Sequence, residues 1–209
     1  MQNSEKGLHT MKVLSFWSMA GLQVLVVALA LALLTISPQA VSALGKLGLG
    51  AWFWGLLAAL VSYLLLVYSN RLSATVQRDT RLILSRTRAL FARLALWQLL
   101  VISALAGIGE ELLFRAFLQS FIQGYSNMWL AVCLASVVFA LLHFLSWVYF
   151  VFALLMGLAL GFGYYLSGSL TFVMLWHGAY DLIALCVLVY APHWLGLPRR
   201  QKTLTELAE

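Results

Sequence analysis

The sequence predicts an all-α membrane protein, a polytopic helix bundle with about six transmembrane spans. Hydrophobic residues make up 63% of the 209 residues and charged residues only 10%, whereas a soluble domain carries about 25% charged residues. The apolar residues are gathered in runs of about 20, the length that a helix needs to cross about 30 Å of hydrocarbon. Composition and run length together exclude a soluble globular domain.

The apolar runs follow one another along the chain with short connections. Clear spans are predicted at roughly 16–36, 47–68, 128–145, 148–166 and 170–190. The stretch 92–123 is longer than one span, and it is either one tilted helix or two pieces that break near Gly107 and Gly109. A break there would raise the number of helices to seven or eight. The connector at 69–93 mixes arginines with leucines, which suits a helix at the membrane interface.

Basic residues predict the orientation, because lysine and arginine are concentrated in cytoplasmic loops. They precede the first span, crowd the connector and follow the last span, so both termini are expected in the cytoplasm. The compact chain with short loops favours a bacterial inner membrane. No basic patch interleaved with aromatic residues indicates a nucleic acid partner, and the net charge of +6 is interpreted as contact of the chain with the lipid bilayer and its anionic headgroups.

The chain is predicted to divide into two parts. Residues 1–91 contain two N-terminal spans and the basic connector, with no acid or histidine inside a span. Residues 92–209 form a helical core with a short polar tail, and they hold every ionisable residue at membrane depth. An ionisable group costs a few kcal/mol there and usually marks a functional site. Chemistry is therefore expected in the second part.

The ionisable residues at membrane depth are few, and their spacing groups them. Glu111 and Arg115 are four residues apart in the order that favours an ion pair, so they can neutralise each other. His177 and Asp181 have the same spacing, which would let the carboxylate accept a hydrogen bond from one ring nitrogen. Glu110 points about 100° away from Glu111 and has no partner nearby in sequence.

Counting residues from the turns predicts which side chains share a depth. Glu110 lies about 15 residues before the turn at 124–127 and His143 about 17 residues after it, so an antiparallel helix pair would place them at one level. His177 fits less well, because straight helices would separate it from His143 by roughly 10 Å in depth. Tilt or a shortened span could close that difference.

One unpaired carboxylate and two histidines form the smallest set that activates a water for hydrolysis. The glutamate would take the proton of the water, and a histidine would stabilise the oxyanion or donate to the leaving amine. Glu110, His143 and His177 could also bind a zinc ion with an open position for water. In a purely structural interpretation, Glu111 and Arg115 are a tolerated ion pair and His143 is a core histidine bonded to a backbone carbonyl.

Three short segments carry a resemblance to a known family. Glu110–Arg115 reads EELLFR, Phe139–His143 reads FALLH, and His177–Asp181 reads HGAYD. In kind, order and spacing they resemble the motifs EExxxR, FxxxH and HxxxN/D of the CPBP (Abi) family of intramembrane proteases, which is related to type II CAAX prenyl endopeptidase. The resemblance covers roughly residues 107–190.

The resemblance implies a glutamic-type intramembrane endopeptidase that cleaves a membrane-anchored or membrane-embedded peptide or protein. By correspondence with the motifs, Glu110 would be the general base with His143 beside it, and His177 with Asp181 would stabilise the oxyanion. The residues with supporting roles would be Glu111, Arg115 and Phe139. Asp181 stands where many members have asparagine, which can donate a hydrogen bond to an oxyanion whereas ionised aspartate cannot.

Two other classes of function stay open. The chain could be a non-catalytic relative that acts as an immunity or interaction protein in the membrane. It could also be a proton-coupled transporter in which Glu110 and the histidines relay protons. Six spans without an inverted repeat fit a transporter poorly.

Overall fold

The computed structural model describes residues 15–36, 49–69, 71 and 73–198, and its regular structure within these ranges is helical. Seven helices follow one another: α1 (Phe16–Thr35), α2 (Leu49–Ser69), α3 (Ala74–Phe91), α4 (Leu96–Tyr125), α5 (Met128–Leu142), α6 (Trp147–Ser167) and α7 (Leu170–Tyr190). A short 3₁₀ turn, Pro192–Leu195, comes after α7. The predicted all-α class is confirmed, and the chain is an integral membrane protein.

Four helices, α1, α2, α6 and α7, are long and apolar enough to cross a membrane within the described residues. Helices α3 and α4 qualify as a fifth span only when taken together, and they meet at an angle of 114°. Helix α5 has 15 residues, which extend about 22 Å and fall short of about 30 Å of hydrocarbon. By length and apolarity, the structure therefore supports four or five spans where the sequence predicted about six.

Helix α4 passes through Gly107 and Gly109 without a break, so the one-helix alternative is confirmed. The helix widens further along, where Leu112–Gln119 adopts π-helical geometry before the α-helix resumes at Ser120. The Ser120 hydroxyl donates to the Arg115 carbonyl oxygen at 3.1 Å. Irregular turns of this kind are frequent at functional sites, and this one directly follows the two glutamates.

Polar residues just outside the apolar runs begin most of the helices. Ser15, Ser73, Asn127, Ser146 and Ser169 each accept a hydrogen bond from the backbone N–H three residues on. These caps satisfy N–H groups that have no partner inside the helix. The connector predicted at 69–93 accordingly forms α3, whose predicted place at the membrane interface stays a prediction.

Close helix contacts hold the bundle together. Helix α1 packs along α4, α2 along α7, α4 along α7, and α5 along α6. A Cβ atom added at Gly157 would lie 3.1 Å from the Ser136 side chain, and one at Gly161 would lie 2.9 Å from Val132. The glycines of α6 therefore act as the small-residue contacts expected in membranes. The two N-terminal helices pack against the remainder of the bundle, and the division at residue 92 stays a prediction.

Candidate active site

The three motif segments converge at one place inside the bundle. Glu110 lies on α4, His143 ends α5, and His177 lies in the middle of α7. The Nε2 atoms of His143 and His177 are 3.4 Å and 3.9 Å from Oε2 of Glu110. The contact between Glu110 and His143 agrees with the prediction from counting residues on either side of the turn. The predicted separation of about 10 Å in depth between His177 and His143 is not found.

A close helix crossing brings His177 into the cluster. A Cβ atom at Gly107 would lie 2.7 Å from both the Gly178 backbone nitrogen and the Met174 carbonyl oxygen. Only the missing side chain of Gly107 allows α4 and α7 to approach so closely. Glu110 and Glu111 are one turn beyond Gly107, and His177 precedes Gly178. The crossing therefore places the glutamates of α4 next to the histidine of α7.

His143 satisfies both interpretations that the sequence left open. Its Nδ1 atom lies 2.8 Å from the Phe139 carbonyl oxygen, and because a carbonyl only accepts hydrogen bonds, Nδ1 carries the proton. The opposite nitrogen, Nε2, is therefore directed at Glu110. At 3.4 Å the two atoms are in direct contact, and no water fits between them.

Glu111 has a second partner that sequence spacing did not indicate. Its Oε1 atom accepts from Arg115 Nη1 at 3.1 Å and from His177 Nδ1 at 2.7 Å. Asp181, expected to hold the ring of His177, has its Oδ2 atom 3.7 Å from Nε2, which is longer than a hydrogen bond. Glu111 thus orients His177, and the predicted Asp181 hydrogen bond is not made.

Arg115 and Phe139 support the site from behind. The guanidinium of Arg115 is 1% exposed; its Nη2 donates to the Gly157 carbonyl oxygen at 2.9 Å. It also lies 5.0 Å from the centre of the Phe139 ring, close enough for a cation–π contact. The same ring lies 4.3 Å from the His143 ring and 5.8 Å from the His177 ring. Phe139 therefore packs against the buried cation and both histidines.

The cluster lies at the wall of a cavity of about 320 Å³. Glu110, His143, His177 and Asp181 line it together with apolar side chains from several helices. Three tyrosines, Tyr63, Tyr149 and Tyr180, also line it, as do Thr80, Ile83 and Leu84 of α3. A mostly apolar cavity with a few convergent polar groups is the usual form of a binding site.

Sequence reasoning missed one residue of the site, Gln23 on α1. Its Nε2 atom donates to Oε1 of Glu110 at 3.5 Å. The signal was present in the sequence, because Gln23 is a strongly polar side chain in the middle of an apolar span. Because glutamine is not ionisable, it does not stand out among the charged residues at membrane depth.

A metal site is not apparent in the part of the chain that the structure describes. No three His, Cys, Asp or Glu side chains there are grouped so as to hold a metal ion. The zinc ion that Glu110, His143 and His177 could bind stays a prediction.

Fold and site together define a polytopic helical membrane protein with a buried glutamate–histidine cluster on an apolar cavity. The family model described as Type II CAAX prenyl endopeptidase Rce1-like matches residues 92–183. All three motifs fall within this range, so the match confirms the predicted resemblance of this segment. Neither the curated proteins nor the solved structures gave a match. Residues 92–183 are thus similar to CAAX protease-like membrane peptidases.

Proposed function

We propose that the protein is a glutamic-type intramembrane endopeptidase in which Glu110 activates the attacking water. The observation that carries the proposal is the position of Glu110, a 9% exposed carboxylate that faces two histidines at the wall of an apolar cavity. A buried carboxylate without a neutralising partner on its own helix is costly at membrane depth, and general base catalysis gives it a purpose.

In this mechanism, Glu110 takes a proton from the water while the water oxygen attacks the carbonyl carbon of the peptide bond. The carbonyl π electrons move to the oxygen and form a tetrahedral oxyanion. When the C–N bond breaks, the electron pair leaves with the nitrogen, which receives the proton that Glu110 took. His143 contacts Glu110 through Nε2, so it can pass this proton toward the leaving amine.

His177 is the second histidine of the proposed mechanism. Because its Nδ1 atom is bound to Glu111, its Nε2 atom is held toward Glu110 and Asp181. A proton on Nε2 would donate to the developing oxyanion, which is the role of preorganised donors in acyl transfer. Asp181, whose side chain is 31% exposed, lines the cavity beside this nitrogen and is proposed to contact the substrate or its water.

The substrate that we propose is a membrane-anchored or membrane-embedded peptide or protein. The cavity lining is mainly apolar, so it suits an apolar segment of such a substrate. A bacterial inner membrane with both termini in the cytoplasm belongs to the same proposal, and the distribution of basic residues supports it.

The decisive experiment replaces the base and measures cleavage in vesicles. The protein would be reconstituted with a panel of quenched fluorogenic peptides that carry a hydrophobic membrane anchor. Glu110→Ala should fold normally and lower cleavage by about 100- to 10,000-fold, the usual contribution of a general base. Cys133→Ala, which changes an exposed side chain on α5, is the matched control. Full cleavage by Glu110→Ala would overturn the proposal and favour a non-catalytic membrane protein.

A chelator separates the two hydrolytic mechanisms. Activity that survives 1,10-phenanthroline supports activation of water by Glu110 alone. Loss of activity that added zinc restores would assign the same three side chains to a metal ion instead.

A further inference from the structure

The N-terminal helix α1 presents one side chain row to α4, and Gln23 is the polar member of that row. Phe16, Ala20, Gln23, Val27, Ala30 and Leu34 follow one another at alternating spacings of four and three residues, the repeat of a helix–helix seam. Phe16 and Ala20 pack in a cluster with Ile102 of α4. Ala30 and Leu34 pack in another with Leu112 and Ala116. Gln23 therefore lies between two apolar contacts, at the level of the site.

A glycine contact sets the distance between the two helices at this level. A Cβ atom at Gly109 would lie 2.9 Å from the Val27 side chain and 3.3 Å from its backbone nitrogen. Val27 is one helical turn beyond Gln23, and Gly109 directly precedes Glu110. The close approach at Gly109 thus brings the amide of Gln23 opposite the carboxylate of Glu110.

The amide contacts the one oxygen of Glu110 that the histidines do not. Gln23 donates from Nε2 to Oε1, while Oε2 faces His143 and His177. Because the acceptor is a carboxylate, the amide nitrogen and not the amide oxygen must point at it. The remaining amide oxygen of Gln23 is buried and has no hydrogen-bond partner among the described residues. An aliphatic side chain would avoid this cost, so packing alone does not account for a glutamine here.

We propose that Gln23 is a positioning residue for Glu110, and that the first span thereby completes an active site whose motifs all lie in the second part of the chain. The hydrogen bond to Oε1 fixes the rotation of the carboxylate so that Oε2 faces the two histidines. The inference rests on the proposed function, since it assigns Glu110 the role of base. It places a required side chain outside residues 92–183, the range of the family match.

Kinetics of two variants test the positioning role. Gln23→Met keeps the length of the side chain without the N–H donor, and Gln23→Glu keeps its shape but brings a second carboxylate to Glu110. Each should lower kcat by about tenfold to a hundredfold, the effect of losing a hydrogen bond to a charged group, with KM nearly unchanged. Leu22→Ala, an exposed neighbour on α1, should leave both constants unchanged. Unchanged kcat in both variants, or a rise in KM alone, would overturn the positioning role.

Gly109→Ala tests the same assembly from the other helix. The added methyl group must move α1 away from α4, so kcat should fall as it does in Gln23→Met. Gly21→Ala on α1 is the matched control, because a Cβ atom there meets nothing within 4 Å. Normal kcat in Gly109→Ala would contradict the inferred role of this contact.

A double-mutant cycle on thermal unfolding separates this proposal from the proposed function. The changes in unfolding free energy for Gln23→Met and Glu110→Gln should be non-additive, as for residues in direct contact, whether or not the protein cleaves a peptide. If the two changes are coupled but the protein cleaves no peptide, the contact between Gln23 and Glu110 is supported and the proposed peptidase activity is refuted. Strict additivity would refute the contact while leaving the test of Glu110 untouched.

Discussion

Adding one methyl group at the crossing of α4 and α7 should disable the site without touching a polar residue. In Gly107→Ala the new Cβ atom would lie 2.7 Å from backbone atoms of Gly178 and Met174. Backbone cannot rotate away as a side chain can, so the helices must separate. Ordinary contact begins at 3.4 Å, and the required separation is thus about 0.7 Å at the crossing.

This separation acts directly on the Glu111–His177 hydrogen bond. The bond spans α4 and α7 and is 2.7 Å long, so it would lengthen to about 3.4 Å and weaken. His177 would lose its orientation relative to Glu110. A displacement near 1 Å at a reacting centre can cost about a hundredfold in rate, and overpacking costs about 1–3 kcal/mol of stability.

The assay is kcat/KM for an anchored fluorogenic peptide together with the thermal unfolding midpoint of the same preparation. We expect kcat/KM to fall by about ten- to a hundredfold while the protein stays folded. Gly50→Ala, where a Cβ atom meets nothing within 4 Å, should behave as wild type. Wild-type activity in Gly107→Ala would refute the argument that the glycine crossing positions His177.

Two further substitutions separate the roles of the remaining polar residues. Glu111→Gln should destabilise the protein by about 3–5 kcal/mol, the range for breaking a buried ion pair, because it leaves the Arg115 cation buried without its carboxylate; an unchanged unfolding transition in detergent would contradict this. Asp181→Asn should retain kcat/KM within about threefold, because Asp181 makes no hydrogen bond to His177 and an amide fills the same volume. A loss of a hundredfold or more would show that the reaction needs the Asp181 carboxylate.

The sequence predicted those parts of the site that depend on spacing within one helix or across one short turn. The Glu111–Arg115 pair follows from a separation of four residues. The approach of His143 to Glu110 follows from equal distances on either side of a turn. Both predictions need only helical rise and connectivity.

Contacts between elements distant in the chain could not be obtained in this way. The Glu111–His177 and Gln23–Glu110 hydrogen bonds join residues 66 and 87 positions apart, and they depend on crossings formed at Gly107 and Gly109. The predicted number of spans was too high for a different reason. The apolar run at 128–145 predicted a longer helix, but α5 ends at Leu142. It ends there because the His143 ring bonds back to the Phe139 carbonyl oxygen.

The hydrogen bonds from α4 to α6 set the register of these two helices. Arg115 and Gln119 donate to the carbonyl oxygens of Gly157 and Gly161, so two donors one turn apart meet two acceptors one turn apart. Sliding α6 by four residues, about 6 Å, in one direction would bring Gln119 opposite Tyr165 in place of Gly161. A Cβ atom at Gly161 would already lie 3.0 Å from the Gln119 amide oxygen, so a tyrosine there is excluded. The two glycines therefore help to fix the register of α6 along α4, because this shift would place a bulky ring at a position where the space suits glycine.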